Sequence, residues 1–169
     1  LLRLRAVGAD LRRDLGDLAP LAPNPLPEPD VTGAEVLDFV FGWSPSDAPV
    51  NNGFCGSLGY TFWSINRVAW PGDASGTGPL AELRLGQSYI LRLRNESPND
   101  HPIHLHGLVF KPLRSNRRAV SGNWVDTAML LAEETMEVVL VADNPGDWAF
   151  HCHVIEHQKT GLTAYLRVA

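Results

Sequence analysis

From Gly33 onward the apolar residues fall in short runs, several alternating with polar positions at a period of two, each closed by Gly, Pro, Asn or Asp. The runs are 35–43, 60–66, 80–85, 88–95, 103–110, 124–130, 135–142, 147–154 and 163–168. None carries the 3.6-residue period of an amphipathic helix, so the pattern predicts an all-β Greek-key sandwich. Gly86, between two alternating runs, reads as a hairpin turn, and Asn144-Pro145-Gly146 as the turn before the next strand.

The N-terminal fifth has a different pattern. Leu1 to Val7 alternates apolar and basic residues, like the end of a strand belonging to a preceding domain (1–8). Pro20, Pro23, Pro25, Pro27 and Pro29 then impose an extended path, read as an interdomain linker over 9–32. A proline-rich tail on a single domain is the alternative. The remaining 33–169 is long enough for one domain with a sizeable core. A net charge of -5, with no basic stripe, argues against a nucleic-acid partner. No run approaches the roughly 18 apolar residues of a membrane helix. The opening residues lack a signal-peptide core, so any targeting segment is expected to be absent or removed.

Chemistry concentrates in two places. All six histidines lie in His-Pro-Ile-His-Leu-His (101–106) and in His-Cys-His-Val-Ile-Glu-His (151–157), the second around one of only two cysteines. Strand side chains alternate faces, so His151 and His153 share one face and Cys152 points to the other. The same parity groups His104 with His106 and sends His101 to the opposite side. If the two strands are neighbours, one face gathers four imidazoles and the other gathers His101 and Cys152. His157, in the following turn, can fold back to complete a set of one thiolate and two imidazoles. That set, with a weak or missing axial ligand, describes a blue-copper site. Leu162 stands at the axial spacing, and without a lone pair it should raise the reduction potential relative to a Met-ligated site. Four imidazoles without a carboxylate also favour copper over hard cations. They cannot saturate a multinuclear cluster, so further histidines must come from another domain or chain.

His-Pro-Ile-His-Leu-His-Gly (101–107), and the run from Asp143 through His157 to Gly161-Leu162, closely resemble the two C-terminal copper motifs of multicopper oxidases, the family of laccases and copper-efflux oxidases. Phe62-Trp63-Ser64-Ile65-Asn66 and Trp124-Val125-Asp126-Thr127 extend the resemblance more weakly. It implies a cupredoxin fold, the last domain of a three-domain enzyme, and periplasmic or extracellular placement. It also implies His101, Cys152 and His157 as type 1 copper ligands with Leu162 in the axial place, His104 as a type 2 ligand, and His106, His151 and His153 as type 3 ligands of a trinuclear cluster. A small reducing substrate (phenols, aromatic amines or metal ions) would give single electrons to the type 1 copper. Cys152 would pass them through its bonded neighbours His151 and His153 to the cluster, where dioxygen becomes water.

The family's remaining cluster histidines are not in this sequence, so the chain is expected to be a fragment, a cleaved piece or a subunit. Gln158 stands where many bacterial members carry a proton-delivering carboxylate, which leaves Glu156 as the nearest candidate donor. Only Met129 and Met136 are present, leaning the substrate toward organic reductants. A non-catalytic electron-transfer cupredoxin or copper-binding subunit is the alternative function. Zinc at the thiolate set and a two-domain nitrite reductase are disfavoured. Trp148 and Phe150 read as core, Trp63 and Trp70 as core or a substrate face. Asn95-Glu96-Ser97 matches a glycosylation acceptor only weakly. Cys55 is an inert thiol or half of a bridge to a missing domain.

Overall fold

The computed structural model describes residues 3, 5, 7, 8, 19–22, 25–50, 58–72 and 77–169. Most of the expected opening strand, residues 9–18 of the linker, and Cys55 lie outside the described residues. Among those described, the strands are β1 (Glu35–Trp43), β2 (Trp63–Ile65), β3 (Ala81–Leu83), β4 (Ser88–Asn95), β5 (His101–Leu105), β6 (Lys111–Ser115), β7 (Thr127–Leu130), β8 (Thr135–Val141), β9 (Gly146–Cys152) and β10 (Thr163–Val168), with one short helix, α1 (Ile155–Lys159). They form two five-stranded sheets, β2-β1-β4-β8-β6 and β3-β10-β9-β5-β7. β1 with β4 and β3 with β10 run parallel, and the other pairs antiparallel.

Alternation builds the core. Tyr89, Leu91 and Leu93 of β4 and Met136, Val138 and Leu140 of β8 point between the sheets, meeting Ile103, Leu105 and Phe150 from the other side. Phe150 packs edge-on against Phe39 and Phe41, so it is core, as its pattern implies. On the outer side of the first sheet Arg92 and Arg114 hold the Glu137 carboxylate at 3.0 and 2.7 Å, which keeps that buried charge paired.

Four local expectations change. Gly86 (φ +80°) does not close a hairpin, because β3 and β4 belong to different sheets and the turn carries the chain from one to the other. β6 was not predicted: Lys-Pro-Leu-Arg-Ser has no alternation, and Pro112 is tolerated because β6 is an edge strand with an irregularity at Pro112/Arg114. The turn after Cys152 contains a single turn of helix, too short to display a period. The run 103–110 is strand only as far as Leu105, and β5 begins earlier, at His101. Beyond it Gly107 adopts φ +65°, where an added Cβ would collide with the Trp148 indole. The last part of the linker is anchored: Asp30 accepts hydrogen bonds from the Thr32 and Gly33 amides, and its own N–H donates to Ser88 Oγ at 3.0 Å.

Candidate metal centre

β5 and β9 are hydrogen-bonded neighbours, in the register Ile103↔Cys152, His104↔His151 and Leu105↔Phe150. Strand parity therefore operates as expected. His101 and Cys152 lie on the core side with Ile103 and Phe150, fully buried, while His104 and His151 lie on the outer side. His157 arrives from α1. The chain bends after Cys152, makes one helical turn, and returns through Leu162, whose N–H donates to His157 O and whose carbonyl accepts the Cys152 N–H.

In this thiolate site Cys152 Sγ stands 3.7 Å from His101 Nδ1 and 3.5 Å from His157 Nδ1, and the two nitrogens are 3.1 Å apart. A point equidistant from all three atoms lies about 2.0 Å from each, the length of a metal–imidazole bond. The tautomer of His101 is set from behind. Its Nε2–H donates to Ser97 Oγ at 2.9 Å, Ser97 Oγ–H donates to Asn95 Oδ1 at 2.8 Å, and Asn95 Nδ2 donates to the Asn99 and Leu131 carbonyls. Nδ1 is left with its lone pair toward the thiol. Burial, aided by the neighbouring His157, lowers the His101 pKa to about 4. Burial also lowers that of His157 and raises the Cys152 thiol to about 11, although the Val154 N–H partly opposes the rise. Without a metal the trio is thus held as neutral imidazoles and a thiol. A soft cation that displaces the thiol proton would supply the missing charge.

On the outer face His104 Nδ1–H donates to Asp126 O at 2.9 Å, beside Thr127 Oγ1, and His151 Nδ1–H donates to Cys152 O at 2.8 Å. Both rings therefore present Nε2. His106 Nε2 meets His151 Nε2 at 3.0 Å, and His104, His106 and His151 offer ligand atoms all within 4.8 Å of one another. Burial lowers the pKa of both His106 and His151, so nitrogen lone pairs converge here. His153 is adjacent but looser. β9 ends at Cys152, and the exposed His153 ring lies 5.9 Å from His151 and 5.7 Å from His104, centroid to centroid. This face opens onto a depression of about 580 Å³ lined also by Leu26, Gly107 and Asp126.

Leu162 is fully buried beside Cys152. Glu156 lies on the thiolate side, accepting a hydrogen bond from Tyr60 O–H at 3.0 Å and standing 3.5 Å from His157 Nε2, away from the four imidazoles. The carboxylate on the imidazole face is Asp126, 3.8 Å from His104 Nδ1. Sequence reasoning did not find the supporting roles of Asn95, Ser97 and Asp126. For Asn95 and Ser97 the available signal was the Asn-Glu-Ser motif itself, since an Asn whose amide is buried and hydrogen-bonded cannot carry a glycan. Trp63 is buried against His101 and His157 and does not line a surface.

The donor set fits copper at both places: a thiolate and two imidazoles in a near-equilateral triangle, and imidazoles alone on the other face. Comparison with known proteins agrees. Residues 45–169 match the family model described as multicopper oxidase. The chain is 39% identical over 120 residues to the multicopper oxidase MmcO of Mycobacterium tuberculosis (strain ATCC 25618 / H37Rv), covering 71% of this chain and 22% of that protein. It is 32% identical over 119 residues to Laccase-3 of Oryza sativa subsp. japonica, covering 61% and 20%. Among solved structures, a multi-copper oxidase from Pseudomonas thermotolerans superposes with a TM-score of 0.72 at 43% identity, covering 91% of this chain and 34% of that one. One from Pseudomonas parafulva gives 0.70 at 40%, covering 90% and 34%. The chain thus spans about a fifth of the curated relatives' length and a third of the solved structures'.

Proposed function

This chain belongs to the multicopper oxidase family, and on that premise we propose that residues 33–169 are the C-terminal cupredoxin domain of a laccase-like oxidase, preceded by a linker (9–32) and the end of another domain (1–8). His101, Cys152 and His157 would hold type 1 copper, with Leu162 in the axial place. His104 would hold type 2 copper, and His106, His151 and His153 type 3 copper, of a cluster completed by histidines from another domain or chain. Copper so bound supplies one-electron exchange at the thiolate site and dioxygen reduction to water at the cluster, the electrons coming from phenols, aromatic amines or metal ions.

The observation that carries this reading is the register of β5 on β9, which puts His101 and Cys152 on one face of the strand pair and His104 and His151 on the other. Cys152 is the shared element: its side chain belongs to the inner set and its peptide neighbours to the outer, so a continuous covalent path joins the two sets. The His151 Nδ1–H bond to the Cys152 carbonyl adds a second link and aims Nε2 outward. Core packing keeps water from His101 and Cys152, and Ser97 and Asp126 hold the two tautomers. The opening onto the depression lets a partner surface reach His104 and His106. Periplasmic or extracellular placement is proposed from the family resemblance alone; no helix among the described residues is long and apolar enough to cross a membrane.

The test is copper stoichiometry with optical and electron-paramagnetic spectra on the full-length protein. Type 1, type 2 and type 3 signatures together are expected. A blue type 1 signal with no cluster would defeat the oxidase reading and leave an electron-transfer protein.

A further inference from the structure

Trp63 is 2% exposed, and its indole N–H finds no hydrogen-bond partner among the described residues. A buried tryptophan usually satisfies that donor. What this ring has instead is aromatic contact on both sides. Its centroid lies 4.9 Å from that of His101 and 4.6 Å from that of His157, so it touches both imidazoles of the thiolate site. Away from the site, Trp43 stacks on it at 4.5 Å with 22° between planes. Trp43 ends β1 and is 43% exposed. Phe62 packs edge-on against both indoles, and with Trp43 it borders a depression of about 300 Å³. The direct approach is narrower: the His157 side chain is only 12% exposed, and its Nε2 faces Glu156, to which Tyr60 is hydrogen-bonded.

We infer that Trp43 stacked on Trp63 is the entry path for electrons into the thiolate site, an inference that rests on reading this site as type 1 copper. A planar aromatic donor such as hydroquinone lies against the open face of Trp43 and loses one electron. Copper held by His101, Cys152 and His157 would be the one-electron acceptor, and the two indoles carry the electron to its imidazole ligands. The donor's hydroxyl proton leaves to solvent, and both tryptophans end as they began. The unpartnered Trp63 N–H is then understandable: the position is occupied for its π surface, which bridges His101 and His157 to Trp43.

The experiment is anaerobic stopped-flow bleaching of the blue absorption by hydroquinone in the full-length, copper-loaded protein. Trp43→Leu should leave the blue absorption, its paramagnetic spectrum and reoxidation by dioxygen unchanged. It should slow bleaching roughly tenfold, the upper end of what an aromatic contact is worth. Trp43→Phe, which keeps a ring, should stay within about twofold of the parent. In the copper-free protein, static quenching of tryptophan fluorescence by hydroquinone should be lost in Trp43→Leu. Bleaching of Trp43→Leu at the parent rate, or equal slowing in both variants, overturns the path. Absence of any blue absorption in the parent overturns the type 1 reading itself, and the path with it.

Discussion

Behind His101, His104 and His151 stands an acceptor that decides which nitrogen is free, and Ser97 is the clearest case. Ser97→Ala would leave the buried His101 Nε2–H without its acceptor, while Asn95 Oδ1 keeps the Ser97 backbone N–H. The expected cost is about 1–3 kcal/mol in urea unfolding of the copper-free protein and about 10- to 100-fold in copper affinity at the thiolate site. Ser97→Thr should recover most of the affinity, whereas a purely structural defect would lower stability and leave the metal titration alone. The same imidazoles govern acid stability. His101 falls from an ordinary 6.5 to about 4, and His106, His151 and His157 shift the same way, all chiefly through burial. Between those values the unfolded chain binds more protons than the folded one, so stability rises with pH through this window and is lost on acidification. His101 alone accounts for up to about 3 kcal/mol. Unfolding midpoints of the copper-free protein at pH 7 and pH 4.5 measure it, and coincident midpoints would refute the burial of neutral imidazoles.

At the scale of elements, β5 and β9 carry the site because their alternation is strict where it matters, and that is why the partition of ligands was readable from residue spacing. Odd and even positions separate His101 from His104, and Cys152 from its neighbours, with no knowledge of the fold beyond the pairing of the two strands. Parity weakens where the strand stops: His153 lies beyond the end of β9 and stands apart from the other imidazoles. Long-range pairing was not readable either. Runs flanking Gly86 look like a hairpin locally, yet β3 finds its partner in β10, some eighty residues on, in a pairing that buries Leu83 in the core. Nor did local pattern reveal Asn95 and Ser97 as supports of His101, since their partners lie in loops at 99 and 131. One close approach ties the elements together. Gly107 follows the histidine strand with φ +65° directly against the Trp148 indole, whose N–H donates to Asn144 O at 2.8 Å. Gly107→Ala should cost about 1–3 kcal/mol from strain and overpacking. It should also displace His106, read as a loss of copper from the imidazole face in the full-length protein with the blue absorption retained.

For the whole molecule, the asymmetry between the two faces sets what 169 residues can do alone. The thiolate site is enclosed by this chain's own core: His101 and Cys152 are fully buried, His157 is brought back by α1, and all three donor atoms come from one folded unit. The imidazole face has His104, His106 and His151 close together and His153 beside them, but these rings border an open depression to which, among the described residues, no histidine comes from an element outside the two motifs. Divided among the three metals of the proposed cluster, four imidazoles would leave each one under-coordinated, and water would fill the remaining positions with little gain in affinity. The isolated chain should therefore retain about one copper per molecule after exhaustive dialysis against a chelator, with a type 1 paramagnetic signature and without coupled-cluster absorption. In the full-length protein, mutation of this chain's His106 should abolish cluster copper while leaving the type 1 signal. Three or more chelator-resistant coppers in the isolated chain would show that the imidazole face is complete by itself, and the need for a partner domain would fall.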